Sequence, residues 1–555
     1  MPEPILILGA GINGAAIARE LALNGVGVVI VDQRDVAAGA TAGSSRLIHG
    51  GLRYLEYGEF DLVREALGER THWLQLAPQY VRPLRLFIPI GNRTGGLCAA
   101  AAKFLRLPLP SGKPKRQSRS RGLWPIGLGL WLYDRLARDS SLPRRRLYHS
   151  SASDAVAVDP RKYHWQYAFS DAQAIYPERF TLALLEDARQ AAQRASVPFQ
   201  LLTYHRAALD GTVARIAATD RPDEAVLSFS PSAIVNATGA WVDRTLATLK
   251  ISSPRLIGGT KGSHILTHHA GLRERMAGRA IYVEAPDGRP VFVLPFGRAT
   301  LVGTTDIVFD DDPAQAVASP EELDYLLSAV NELFSDLRLS RADVELHYSG
   351  VRPLPFVGEQ ATAGVTRRHW LAPNPSCPLP LYSVVGGKLT TCRSLAEKAT
   401  ATILAKLGQT PRANSRGRPL PGGESYPPDD AALAAEWQRL AGRVALPRES
   451  IEAVWSLVGN RAEAILAEGA PELVPGTMFP RSFVHWVIRN EWATTLGDLI
   501  ERRLMLLYQP NLSRGSLREL AALLVEAGRL AADRVESTVD ATAARLATHF
   551  GKRVS

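Results

Sequence analysis

Cysteine is scarce: the 555 residues hold three, Cys98, Cys377 and Cys392, and no two stand at CxxC spacing. That count excludes a disulfide framework, argues against a thiolate zinc site and points to a reducing compartment. No metal site is expected. No apolar run reaches the roughly eighteen uninterrupted residues of a membrane span. Nor is there a composition bias: 46% apolar and 22% charged residues, with 45 Gly and 37 Pro, exclude a collagen-like or wholly disordered chain. The opening MPEPILILGAG runs directly into a strand-and-glycine pattern, so no signal peptide is expected. Internal repeats are absent too, and the length calls for two or three domains.

What is present in excess is positive charge, +10 overall, and it is local. Between Lys113 and Arg146 stand ten Lys or Arg against two acids, Asp134 and Asp139. One cationic patch is expected rather than a basic surface throughout.

The first forty residues read as a βαβ unit. Ile5 to Leu8 is a buried strand, Ala15 to Asn24 is helix-like, and Val28 to Val31 is a second strand ending at Asp32. Residues 61–77 have the periodicity of an amphipathic helix. From 91 to 146 the chain is Pro-rich and basic, apolar, then cationic, then apolar again. Residues 196–310 are strand-rich, as for a substrate domain inserted in a nucleotide-binding fold. A helix is expected over 320–338, and a strand, glycine turn and helix over 380–405. Pro and Gly cluster between Arg416 and Pro428, giving a linker at 406–430. Residues 431–555 have helical spacing and predict a C-terminal α-helical domain. Residues 1–405 form the remainder, with a substrate-binding region interleaved at about 80–170 and 250–350.

Between the first strand and helix stands Gly9-Ala10-Gly11-Ile12-Asn13-Gly14, a GxGxxG. A tight turn, close approach to a pyrophosphate and close helix–strand packing each exclude a Cβ, hence three glycines. Asp32, at the end of the next strand, is placed for ribose hydroxyls. The bland readings are a glycine turn without ligand and a solvated strand-end acid. A second signal follows in Ser44-Ser45-Arg46-Leu47-Ile48-His49-Gly50-Gly51-Leu52-Arg53-Tyr54-Leu55. Two serines, Arg, His and two glycines make a poor core but can wrap a phosphate and a flat heterocycle.

GAGINGAAIA, SSRLIHGGLRYLE, VNATGAWVD (235–243), KGSHI (261–265), GTTD (303–306), YSGVRPL (348–354) and GGKLTT (386–391) occur in this order. Together they resemble the FAD-dependent, quinone-linked glycerol-3-phosphate dehydrogenase family. The resemblance spans roughly residues 4–405, and EWATTLGDLIERR (491–503) extends it into the helical region. It implies an α/β fold: a Rossmann-like FAD domain, an inserted strand-rich substrate domain and the C-terminal helical domain. It also implies FAD on Gly9, Gly11, Asn13, Gly14, Asp32, Ser44, Ser45, Arg46, Leu47, His49, Gly50, Gly51, Gly239, Gly387, Lys388 and Leu389. The substrate implied is sn-glycerol 3-phosphate, a small dianion whose site must supply cations. Arg53, Arg352 and Lys388 are the expected clamp, with Tyr54 beside them and His264 as the base for the hydroxyl proton. Where the family shows Ser-Arg-Asp-His, this chain offers Thr366-Arg367-Arg368-His369.

The expected acceptor is a membrane quinone, and the expected location is cytoplasmic, held peripherally on the inner membrane. Leu97 to Leu109 and Leu123 to Leu136, with Trp124, Trp131 and Tyr133, suit the headgroup zone. Between them Lys113, Lys115, Arg116, Arg119 and Arg121 suit an anionic membrane surface; a disordered, solvated loop is the bland alternative. A homodimer is carried as an expectation. The competing readings are an amine- or amino-acid-oxidising flavoenzyme of related fold, and a nucleic-acid-binding protein. The cationic core lacks aromatic interleaving, so no nucleic-acid partner is expected.

Overall fold

The computed structural model describes residues 3–95, 122–285, 287–358, 368–467 and 469–554. The expected membrane segment 97–121, Cys98 and Thr366-Arg367 lie outside the described residues.

A six-stranded sheet holds the nucleotide-binding half. Its order is Trp370–Pro373, Leu381–Val385, Ile234–Asn236, Ile5–Leu8, Val28–Asp32, Phe199–Thr203, all parallel except the first. Ile5–Leu8 lies near its middle and is apolar at every position because both faces are covered. Helices cover Ile5 and Ile7; Ala207, Ala214 and Ile216 of a small sheet, with Val242 and Leu246, cover Leu6 and Leu8. The helices Ile12–Leu23, Pro177–Arg194 and Cys392–Lys406 pack together on this half.

The second sheet has ten strands and carries the other wall of the site. Val81–Ile90 pairs antiparallel with Trp165–Ala174 over its whole length, and Ile257–Thr267 pairs likewise with Leu346–Pro355. The strand-rich stretch 196–310 is thus shared rather than given to one domain. Phe199–Thr203 and Ile234–Asn236 join the nucleotide sheet, and 205–229 make a small three-stranded sheet. Of the stretch 196–310, only the strands from Ile257 onward enter the substrate sheet.

The helix expected over 61–77 spans Phe60–Leu76. That expected over 320–338 stops at Leu333, where Asn331 turns its side chain to the backbone of Leu339 and closes the chain back. Its start is well marked: Pro320 at the first position and a Ser319–Glu322 capping box.

Beyond residue 430 the chain is helical, from Asp430–Val444 to Val535–Phe550. These helices share one apolar cluster with the ten-stranded sheet, in which Leu294, Leu301 and Leu346 join Tyr508, Leu520 and Phe550. The preceding Pro/Gly stretch is docked: Arg418 pairs with Asp187, and the Leu420 N–H donates to the carbonyl of Leu76.

Candidate active site

Between the two sheets lies a cavity of about 820 Å³, toward the upper end for ligand clefts. Its floor is the GAGING turn. Gly9 has φ +101°, and a Cβ there would sit 2.7 Å from the carbonyl of Ala237. Gly11 precedes the first helix and supplies no side-chain cap, while the Ile12 N–H donates to Thr41 Oγ1 at 3.1 Å. A helix start of this kind receives phosphate. Asp32 lines the cavity, accepting the N–H groups of Ala10 (2.7 Å) and Arg34 (2.9 Å). Burial pushes its carboxyl up to about 6. Gly239 lines this end as well.

The wall opposite is the second glycine turn. A Cβ on Gly387, at φ +98°, would fall 2.4 Å from Asn13 Nδ2. Asn13 Oδ1 is buried and finds no hydrogen-bond partner among the described residues. Leu389 and Lys388 continue this wall, and Thr390 ties it to the serine-rich loop, its Oγ1 accepting the His49 N–H at 3.2 Å. Ser44, Ser45, Leu47, His49 and Gly51 all line the cavity. Burial lowers the His49 imidazole below its ordinary value.

Three expected cofactor residues are engaged by the protein's own packing and hydrogen bonds. Gly14 does not line the cavity; a Cβ there would lie 2.0 Å from the Gly9 carbonyl, so its work is packing helix on turn. Gly50 also faces away, its N–H donating to Tyr133 Oη at 2.9 Å. The Arg46 guanidinium is wholly engaged behind the loop. It pairs with both carboxylate oxygens of Glu178 and donates to Tyr508, Tyr348 and the carbonyls of Ile175 and Ala42. Arg46 thus lines the cavity with its guanidinium donors all taken by protein acceptors.

The residues expected for substrate, Arg53, Tyr54, His264, Arg352 and Lys388, line the same cavity. His264 is 1% exposed, stacked on Tyr348 at 4.7 Å and backed by Gly303, where a Cβ would lie 2.1 Å from the ring. Its Nε2 is 2.9 Å from Ser45 Oγ, and its Nδ1 has no hydrogen-bond partner among the described residues. Burial, then Arg352 and Arg46, hold the imidazole well below its ordinary value and so neutral. Arg352 donates to Asp306 Oδ1 (3.1 Å), Thr304 Oγ1 (2.9 Å) and the Thr305 carbonyl (3.3 Å). Lys388 Nζ lies 4.0 Å from the Tyr54 ring centre.

Sequence reasoning missed Thr41, Arg206, Arg244 and Arg289, which also line the cavity, as does Arg368 of the run that departs from the family pattern. Arg244 follows directly on VNATGAWVD, so the motif could have been extended to it. Arg289 and Arg206 stand in no pattern that marks them.

The family model described as FAD dependent oxidoreductase matches residues 4–393. The chain belongs to this family. As an FAD-dependent oxidoreductase it is 33% identical to a glycerol-3-phosphate dehydrogenase of Synechocystis, over 90% of this chain and 88% of the relative. It is 30% identical to the D-erythritol 1-phosphate dehydrogenase of Brucella abortus, over 91% and 95%. Among solved structures, the FAD complex of glycerol-3-phosphate dehydrogenase from Bacillus halodurans superposes with a TM-score of 0.71 at 20% identity. It covers 98% of this chain and 95% of its own. At that identity the likeness is one of fold. The cavity suits the cofactor: a helix start for phosphates, a buried acid at the second strand, and, where Asn13 meets the Gly387 turn, an unmatched buried acceptor.

Proposed function

We propose that this oxidoreductase converts sn-glycerol 3-phosphate to dihydroxyacetone phosphate and delivers the electrons to a membrane quinone. The supporting observation is that Arg53, Arg352 and Lys388, with Arg289 and Arg368, line the same cavity as the neutral imidazole of His264, on which Arg352 acts directly. A carboxylate substrate needs one such cation; a phosphate dianion is better met by several. Arg352 and Lys388 bind the phosphate, Arg352 in an orientation fixed by Thr304 and Asp306. His264 takes the C2 hydroxyl proton, because the neutral ring is the form that accepts one. Ser45 and Tyr348 keep that ring in place. FAD, when bound, supplies the acceptor for the C2 hydride.

The test is to record the flavin spectrum of the purified protein and add substrate anaerobically. Bleaching by sn-glycerol 3-phosphate is expected. Faster bleaching by D-erythritol 1-phosphate would move the assignment to the longer polyol phosphate, and bleaching by an amino acid alone would overturn it.

The membrane reading draws on the helix Leu123–Ala137. Trp124, Leu128 and Trp131 are 64%, 67% and 47% exposed, while Leu130 and Tyr133 face inward. An apolar, Trp-bearing outer stripe beside a cationic stretch suits the headgroup region. Among the described residues no helix is long and apolar enough to cross a membrane. Flotation with anionic liposomes at low salt is expected, reduced by neutralising Lys113, Lys115, Arg116, Arg119 and Arg121. Wild type left in the soluble fraction would point to a soluble acceptor. The homodimer belongs to the same reading, and light scattering decides it.

A further inference from the structure

The EWATTLGDLIERR motif has no part in the chemistry above. Its side chains nevertheless reach across to the nucleotide-binding half. Asp35, fully buried and three residues past Asp32, accepts both terminal nitrogens of Arg503 at 2.8 Å and also Nε of Arg502. Arg502 is balanced in turn by Glu501 and Asp498, and Asp498 accepts the hydroxyl of Tyr204. The Tyr204 N–H donates to the carbonyl of Arg34. A few residues on, Tyr508 accepts from Arg46, with the guanidinium 4.9 Å from its ring centre.

Asp35 and Arg46 bracket a single loop. Ala38, Gly39, Thr41 and Gly43 between them line the cavity, and Thr41 holds the start of the first helix. Arg46 has φ +58°, a left-handed conformation that a non-glycine residue keeps only when its surroundings impose it. Its guanidinium contacts do so. They also reach the chemistry: Tyr348 Oη accepts from Arg46 and donates to the Ser44 carbonyl at 3.0 Å, and the next residue, Ser45, meets His264.

We propose that the 491–508 stretch is a positioning element for FAD, holding Asp35 and Arg46 so that the loop between them is formed before the cofactor arrives. Its contribution is cofactor affinity rather than substrate contact. A loop ordered in advance loses less freedom when a ligand binds, which strengthens binding without adding a contact. Buried ion pairs of this kind fix register where apolar contacts alone would allow sliding. The proposal rests on FAD as cofactor and not on the substrate assigned above.

The experiment titrates FAD into full-length apoprotein and follows flavin fluorescence. Tyr508→Phe keeps the ring and removes the hydroxyl; Asp35→Asn removes the charge that Arg502 and Arg503 share. Leu520→Ala, in the buried core of the C-terminal helices and without a part in the ion pairs or hydrogen bonds to Asp35 and Arg46, serves as the control. For Tyr508→Phe the Kd for FAD is expected to rise roughly three- to tenfold, and further for Asp35→Asn. Leu520→Ala should lower Tm and leave the Kd unchanged. Unchanged Kd in a folded Tyr508→Phe protein overturns the proposal even if Asp35→Asn does not fold. So does an equal loss of affinity in Leu520→Ala at matched Tm. Wild-type apoprotein that takes up no FAD overturns the cofactor assignment and this proposal with it.

Discussion

His264 stands between two demands. Burial against Tyr348 and Gly303 fixes the ring and also holds its pKa far below 6.5. A base must be unprotonated to act, so the acid limb of kcat/KM for the free enzyme is expected well under pH 6.5, with no loss from this group between pH 6.5 and 8. Stability follows the same sign. Below about 6.5 the unfolded chain takes up a proton that the native ring refuses, so native stability falls as pH drops. A pH–rate profile with its acid limb at 6.5 or above would remove His264 from the base's role. Arg352 is tested at the same scale. Arg352→Ala removes a charge-assisted contact of about 1.5–3 kcal/mol, roughly ten- to a hundredfold in kcat/KM. Unchanged kinetics in FAD-loaded protein would exclude it from the phosphate site.

Among elements, the turns that must approach a ligand were readable in the sequence, and the side chains that hold those turns were not. GAGING declares itself because backbone proximity forbids a Cβ, a constraint written in residue type; GGKLTT stood out through the family resemblance. Gly387→Ala puts a methyl 2.4 Å from Asn13 at a φ of +98°. It is expected to cost about 1 kcal/mol or more of stability and to lower FAD content at purification, measured by the flavin-to-protein absorbance ratio. Arg46 shows the limit. Its motif marked it as a ligand residue, but its partners, Glu178, Tyr348 and Tyr508, lie far along the chain, and only the fold shows that they occupy every donor. The strands of 196–310 were recognisable as strands; which sheet each joined depended on pairings that local pattern does not encode. Arg206 and Arg289 were missed for the same reason.

For the whole molecule, the 406–430 stretch looks like a linker by composition because Pro and Gly cluster in it. Docking of Leu420 and Arg418 on the nucleotide half and the apolar cluster shared by sheet and helices describe something more continuous. The apoprotein is therefore expected to unfold in one calorimetric transition. Two resolved transitions, the first abolished by deleting residues 431–555, would show that the helices fold apart from the rest.

The order in which the chain is made gives the architecture a temporal meaning. Ribosomal synthesis runs from the N-terminus, and the first strand and its glycine turn emerge early. The wall carrying Gly387 emerges only after most of the chain. Tyr508 and Arg503, which hold the loop facing both, come later still. A nascent chain thus exposes the phosphate-binding turn long before it can enclose a cofactor. Enclosure of the flavin is accordingly expected to wait for the helical region rather than to guide the early folding of the nucleotide-binding half.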